Sequence, residues 1–94
     1  MKVVINDCHG GFSLSDVGIA RYLELSDLKV TEHFYARDIP RDDVALIQMV
    51  EELGKKSWGH CARLKILEIP EDVNWYVEDY DGLEWIAERH RTWR

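Results

Sequence analysis

The sequence predicts an α+β domain: a mixed or antiparallel β-sheet, two helices packed on one of its faces, and a C-terminal β-hairpin. Three observations predict it. A β-branched run, Lys2-Val-Val-Ile-Asn6, opens the chain as a buried strand. An apolar stripe at helical spacing follows Asp43. Near the end, Asp81-Gly82 stands between two runs rich in aromatic and aliphatic residues, and Asp-Gly suits the positive φ angles of a type I′ turn.

After the first strand comes Asp7-Cys-His-Gly-Gly-Phe-Ser13, where Gly10-Gly11 permits a sharp turn or a close backbone approach. Ser13 or Ser15 then caps a helix through Tyr22 to Leu25, with Asp16 in its first turn. Val17, Ala20, Tyr22, Leu23 and Leu25 follow helical spacing only in part, and Gly18 weakens it. Val30 to Ala36 alternates like a short strand, ended by Asp38-Ile-Pro40. Arg41-Asp-Asp43 opens the second helix, which runs to Leu53 on the apolar positions Val44, Leu46, Ile47, Val50 and Leu53. Gly54 is its C-cap, and Lys55 and Lys56 suit its negative end. Ser57 to His60 is a loop, and Arg63 to Ile69 a strand. Pro70-Glu71-Asp72 turns the chain into the hairpin.

A two-residue loop pairs Tyr80 with Leu83, Glu78 with Trp85, Tyr76 with Ala87 and Asn74 with Arg89. Trp75, Val77 and Ile86 then share the face assigned to the core. The rival reading is a helix from Leu83 to His90 capped by Asp81. The hairpin is preferred to it.

Ninety-four residues make a single domain, 1–94. A chain this short buries only about 60–65% of its unfolded surface, so its core is thin. Four Trp, four Tyr and two Phe are many for such a core. A homodimer or higher homo-oligomer, with aromatics at an interface or lining a pocket, is the expected remedy. The net charge of −6 argues against a nucleic-acid polymer as partner, although a locally positive pocket still suits a small anion. No apolar run approaches the roughly 20 residues of a membrane span, and the apolar start is too short for a signal peptide. The expected location is the cytoplasm, with Cys8 and Cys61 as reduced thiols.

Several constellations invite chemistry. Cys8-His-Gly-Gly-Phe-Ser-Leu-Ser15 joins a strand end to a helix N-terminus, where glycines and free N–H groups make an anion site. Phe12 there would stack on a base. The same stretch also reads as a tight turn with capping serines and a core Phe. Cys8-His9 and His60-Cys61 lack zinc-site spacing, so no metal is expected. The same residues with Asp7 could form a Cys–His nucleophile pair, which makes a small hydrolase a further reading, but the sequence offers no strong nucleophile–base–orienter set and no enzyme activity is expected. Arg89, Arg91 and Arg94 make a basic, aromatic tail that suits either a phosphate contact or surface salt bridges. Glu78, Asp79, Asp81 and Glu84 read as a solvated acidic edge that discourages strand pairing.

Met1-Lys-Val-Val-Ile-Asn-Asp-Cys-His-Gly-Gly-Phe-Ser-Leu-Ser15, Ile39-Pro-Arg-Asp-Asp43, Glu68-Ile-Pro70, and Tyr80-Asp-Gly-Leu-Glu84 with His90-Arg-Thr-Trp93 carry a resemblance over most of the chain. In these stretches the sequence resembles the Thoeris anti-defence sponge proteins of phages, which sequester cyclic ADP-ribose signals. The resemblance implies a non-enzymatic homo-oligomer that captures a cyclic nucleotide made by TIR-domain immune enzymes and holds it intact. It places the phosphate contact on Arg91 and the polar base contact on Asn74, with Phe12 and Ser13 lining the same pocket. It also implies a base-stacking aromatic from the strand before Pro70, where this chain offers Leu64 and Ile66. Inhibition of a host protein through exposed Trp residues is the alternative function.

Overall fold

Strand β1, Lys2–Asn6, runs antiparallel to β2, Leu64–Glu68, with Val4 opposite Ile66 and Asn6 opposite Leu64. The computed structural model describes residues 1–26 and 35–89. Val3, Val4 and Asn6 are wholly buried and Ile5 nearly so, so β1 is covered on both faces, as its continuous β-branched run predicts. The ladder continues past both ends: Ile69 N–H donates to the Met1 carbonyl at 2.9 Å, and Asp7 N–H to the Arg63 carbonyl at 2.7 Å. The even-numbered residues of β1 point their N–H groups to the other edge. Val4 N–H donates to the Arg41 carbonyl at 2.8 Å, and Asn6 N–H to Glu84 Oε1 at 2.9 Å.

Helix α1 spans Asp16–Ser26 and α2 spans Val44–Leu53. Of the two serines before α1, Ser15 is the cap. Its Oγ accepts from Gly18 N–H at 3.0 Å and donates to the Lys56 carbonyl at 2.5 Å. Gly18 packs against the short 3₁₀ turn Gly54–Ser57; an added Cβ would lie 3.1 Å from the Ser57 carbonyl oxygen. Asp43 caps α2 by accepting from Leu46 N–H at 3.1 Å, and the Gly54 N–H returns to the Val50 carbonyl at its other end.

The inward stripe of α2 is Leu46, Met49 and Val50. Val44, expected on that stripe, is 78% exposed because it sits two residues before Leu46 and so points off the buried face. Helix α2 packs against β1 and β2, and α1 packs against α2. The core gathers Val4, Leu14, Tyr22, Ile39, Leu46, Met49, Val50, Ala62 and Leu64. The strand expected over Val30 to Ala36 falls largely outside the described residues. Its last residue, Ala36, opens a 3₁₀ turn, Ala36–Asp38.

Strands β3, Trp75–Tyr80, and β4, Leu83–Glu88, form the C-terminal hairpin in the predicted register, and Arg89 N–H donates to the Asn74 carbonyl at 2.8 Å. Asp81 at φ 52° and Gly82 at φ 89° make the turn, and Leu83–Glu88 is strand where the rival reading had helix. The molecule is therefore α+β, with two helices, two antiparallel two-stranded sheets and a C-terminal hairpin. The hairpin meets the body through β4 against β1. Trp75, Val77 and Ile86 are only half-buried; the most buried residue on their face is Glu84, at 9% exposure. Among the described residues, no helix is long and apolar enough to cross a membrane.

Candidate functional site

The Gly10-Gly11 loop and the hairpin turn meet edge to edge, and with His9 and Asp81 they line an open surface pocket of about 360 Å³. Gly82 of the hairpin turn packs onto it so closely that an added Cβ would meet the Gly11 nitrogen and lie 2.7 Å from the Gly10 nitrogen. On its other side Gly10 abuts Cys61, whose Cβ would stand 2.6 Å from a side chain at position 10. At the start of α1, Gly18 N–H meets the Ser15 hydroxyl and Ile19 N–H the Ser15 carbonyl. Gly82 thus makes a backbone-to-backbone contact with the glycine pair, and the pocket beside it carries the Asp81 carboxylate, which disfavours an anion there.

Immediately after it the chain enters a different environment. Phe12, Ser13, Leu14 and Ile19 line one side of a cleft of about 370 Å³, and Tyr35, Ala36 and Arg37 line the other. The segment Leu14–Ser15 is pinned against residues 57–58, through the bridge of Leu14 with Trp58 and the 3.0 Å bond from Ser15 N–H to the Ser57 carbonyl. Ser13 Oγ donates to the His60 carbonyl at 3.4 Å. Tyr35 is 52% exposed, and the Arg37 guanidinium lies 5.3 Å from its ring centroid. No carboxylate lines the cleft among the described residues, and Arg37 has no carboxylate partner among them. On a chain of net charge −6, the cleft thus has Arg37 as its one charged lining residue among the described residues, beside an aromatic ring.

Behind Phe12 stands a buried ion pair. Arg41 meets Glu84 in a two-pronged contact, Nη1 to Oε1 and Nη2 to Oε2, the latter at 2.9 Å. Their side chains are 12% and 8% exposed. The Arg41 guanidinium also lies over the Phe12 ring, 3.7 Å from its centroid. Asn6 completes the cluster: its Nδ2 donates to the carbonyls of Cys8 and Gly82, both at 2.7 Å, and its Oδ1 accepts from Arg63 N–H at 2.8 Å. Both Glu84 oxygens, both Arg41 Nη atoms and both polar side-chain atoms of Asn6 are therefore paired, as a low-dielectric interior demands.

Of the residues singled out from sequence, the structure brings Phe12 and Ser13 together at the cleft. Leu64 is 6% exposed and belongs to the core, so it offers no surface to a ligand. Asn74 is exposed at the open end of the hairpin and is not among the residues lining the cleft. Arg91 lies outside the described residues, as does Arg94. Arg89 stacks on Tyr76 at 4.9 Å. Of the acidic edge, Asp79 and Asp81 are exposed as expected, whereas Glu84 is not solvated: burial and Arg41 make that carboxylate an internal strut.

Glu78 is also engaged, accepting from Tyr76 Oη at 2.9 Å and Trp85 Nε1 at 3.0 Å. That contact raises the Tyr76 phenol above its ordinary range. Tyr35, Arg37 and Arg41 were missed. Tyr35 sits in the stretch read as a strand and Arg41 at the opening of the second helix, so neither stands out as a site residue, and only the fold carries them and Arg37 toward Phe12. Cys8 and Cys61 are free thiols, and no group of three metal-ligating side chains assembles among the described residues. No protein-family model, curated protein or solved structure matches the chain.

Proposed function

We propose that this protein binds a small anionic nucleotide of the cyclic ADP-ribose class and holds it without turnover, as a phage protein that withholds an immune signal from its effector. One observation supports the reading above the others: Arg37 stands without a carboxylate partner among the described residues, in a cleft walled by Phe12 and Tyr35, on an otherwise acidic chain. Aromatic walls suit a base, and a planar guanidinium suits a phosphate. The cleft volume of about 370 Å³ lies within the range of small-molecule sites. The resemblance in the Gly10-Gly11-Phe12-Ser13 stretch points the same way. Assembly as a homodimer or larger belongs to this reading, and light scattering at micromolar concentration checks it.

The test is calorimetric titration with cyclic ADP-ribose isomers, followed by heat denaturation and analysis of the released ligand. Saturable binding with intact ligand recovered is the expected result. Absence of binding, or recovery of a linear product, overturns the reading. A second reading, inhibition of a host protein by contact, draws on the hairpin, where Tyr80 is 72% and Trp85 41% exposed. A host protein that co-purifies with the wild type, and is lost on Trp85→Ala without loss of fold, would favour it.

A further inference from the structure

The two arginines nearest the cleft differ in one respect that decides their roles. Arg41 is neutralised by Glu84, whereas Arg37 has no carboxylate partner among the described residues. A guanidinium already held at two points by a buried carboxylate has little left to offer a phosphate. What it does offer is a surface. At 3.7 Å from the Phe12 centroid it covers one face of the ring. Only the opposite face and the edge remain for the cleft that Phe12 lines.

We propose that Arg41, clamped by Glu84, sets the stacking face of Phe12, so that the cleft reads the base of its ligand through Phe12 and the anionic part through Arg37. This rests on the nucleotide-binding reading above. Phe12 follows Gly11, at φ 89°, in a loop with no regular structure, so its ring needs an external reference to be held in one orientation. The reference is β1. The Arg41 carbonyl accepts from Val4 N–H, and the Glu84 carboxylate that grips the Arg41 side chain accepts from Asn6 N–H. Main chain and side chain of Arg41 are thus both registered on the same buried strand edge. A ring fixed before the ligand arrives loses less side-chain freedom on binding, and that gain is specific to the part of the ligand that stacks. Arg41 and Glu84 are positioning residues, and Phe12 and Arg37 touch the ligand.

Two probes separate these roles: a cyclic ADP-ribose isomer, which carries base and phosphates, and inorganic pyrophosphate, which carries charge without a base. Titrate the wild type, Arg41→Lys, Glu84→Gln, Phe12→Leu and Arg37→Ala with each, after confirming folding by thermal melts. Arg41→Lys keeps the charge but loses the planar fork and the stacked plane.

The first three variants are expected to weaken the cyclic nucleotide by about 10-fold and to leave pyrophosphate within about twofold. Arg37→Ala should weaken both. The double variant Phe12→Leu/Arg41→Lys should bind no more weakly than Phe12→Leu alone, because Arg41 acts only through the ring. If Arg41→Lys and Glu84→Gln do not fold, Phe12→Leu still decides: unchanged affinity for the cyclic nucleotide overturns the proposal. Equal weakening of both probes by Arg41→Lys, or additive losses in the double variant, overturns it while the binding reading stands. A wild type that binds neither probe defeats the binding reading and this inference with it.

Discussion

Arg41 and Glu84, 43 residues apart, close a two-pronged contact that ties the turn before α2 to the hairpin across the edge of β1. The same carboxylate oxygen that meets Arg41 Nη1 also accepts from Asn6 N–H. Glu84 therefore does the work that a third strand would do at that edge, capping a buried N–H that has no other acceptor among the described residues.

The first prediction follows from that double duty. Glu84→Ala leaves a buried guanidinium and a buried amide unpaired and should cost about 3–5 kcal/mol in urea unfolding. Replacing both partners with apolar residues, Arg41→Met with Glu84→Leu, removes the stranded charge. The double variant should be less damaged than Glu84→Ala, with about 1–3 kcal/mol remaining for the orphaned Asn6 N–H. A double variant as stable as wild type would mean that this hydrogen bond contributes nothing.

Gly11 and Gly82 supply a matched pair for the second prediction. Both have φ 89°, so a side chain at either is strained by the backbone. An added Cβ at Gly11 meets nothing within 4 Å, whereas at Gly82 it runs into the Gly10-Gly11 backbone. Gly11→Ala should cost about 1–2 kcal/mol, and Gly82→Ala at least about 1 kcal/mol more, because backbone atoms cannot swing aside. Equal losses in parallel melts would show that the hairpin turn does not rest on the glycine loop.

Much of this fold is legible in local sequence because local chemistry decides it. Asp43 and Gly54 bracket α2 through a cap and a terminal turn, and Asp81-Gly82 sets the hairpin register, with each pair falling opposite as predicted. The candidate site is less legible. Phe12 and Ser13 stand out because glycines precede them. Arg41 and Glu84 gain their roles from contacts across tens of residues, Arg37 from the cleft it shares with Phe12, and nothing in a window of ten distinguishes a buried, paired Glu84 from the solvated acids beside it. Val44 shows the same limit within one helix: apolar composition put it on the stripe, and the helical angle takes it off.

Tyr22 makes the third prediction one of pH. It is 3% exposed, and burial first, then the Asp43 carboxylate that its hydroxyl approaches at 3.5 Å, raises its phenol above the ordinary value. A raised folded-state value means that the unfolded chain gives up this proton first. Its contribution to stability is fully present below the ordinary tyrosine value of about 10 and declines as pH rises from there through the folded-state value. Tyr76, raised by its bond to Glu78, acts in the same window and in the same direction. The share of the unfolding free energy due to these two phenols should thus hold from neutral pH to about 10 and fall above it, with a shallower alkaline fall in Tyr22→Phe. An identical alkaline slope in that variant would remove Tyr22 from the account.

The last prediction sets Leu64 against Arg37, one inside the core and one at the cleft. Leu64 pairs with Asn6 in the sheet and is 6% exposed within the main cluster. Leu64→Ala should leave a cavity and cost about 2–4 kcal/mol of stability. Nucleotide affinity, measured well below the melting temperature, should change by no more than about twofold, because the site is not built from that side chain. Arg37 is exposed and holds no ion pair among the described residues, so its removal should leave the melt within about 0.5 kcal/mol of wild type. The same Arg37→Ala change should weaken binding by roughly 10- to 100-fold, the loss expected for one charge-assisted phosphate contact. Lysine at position 37 should recover part of that, since it keeps the charge and gives up the planar fork. Stability and affinity thus move in opposite variants. If Leu64→Ala loses affinity while still folded, or Arg37→Ala keeps it, the ligand sits elsewhere and the Phe12–Arg37 cleft is not its site.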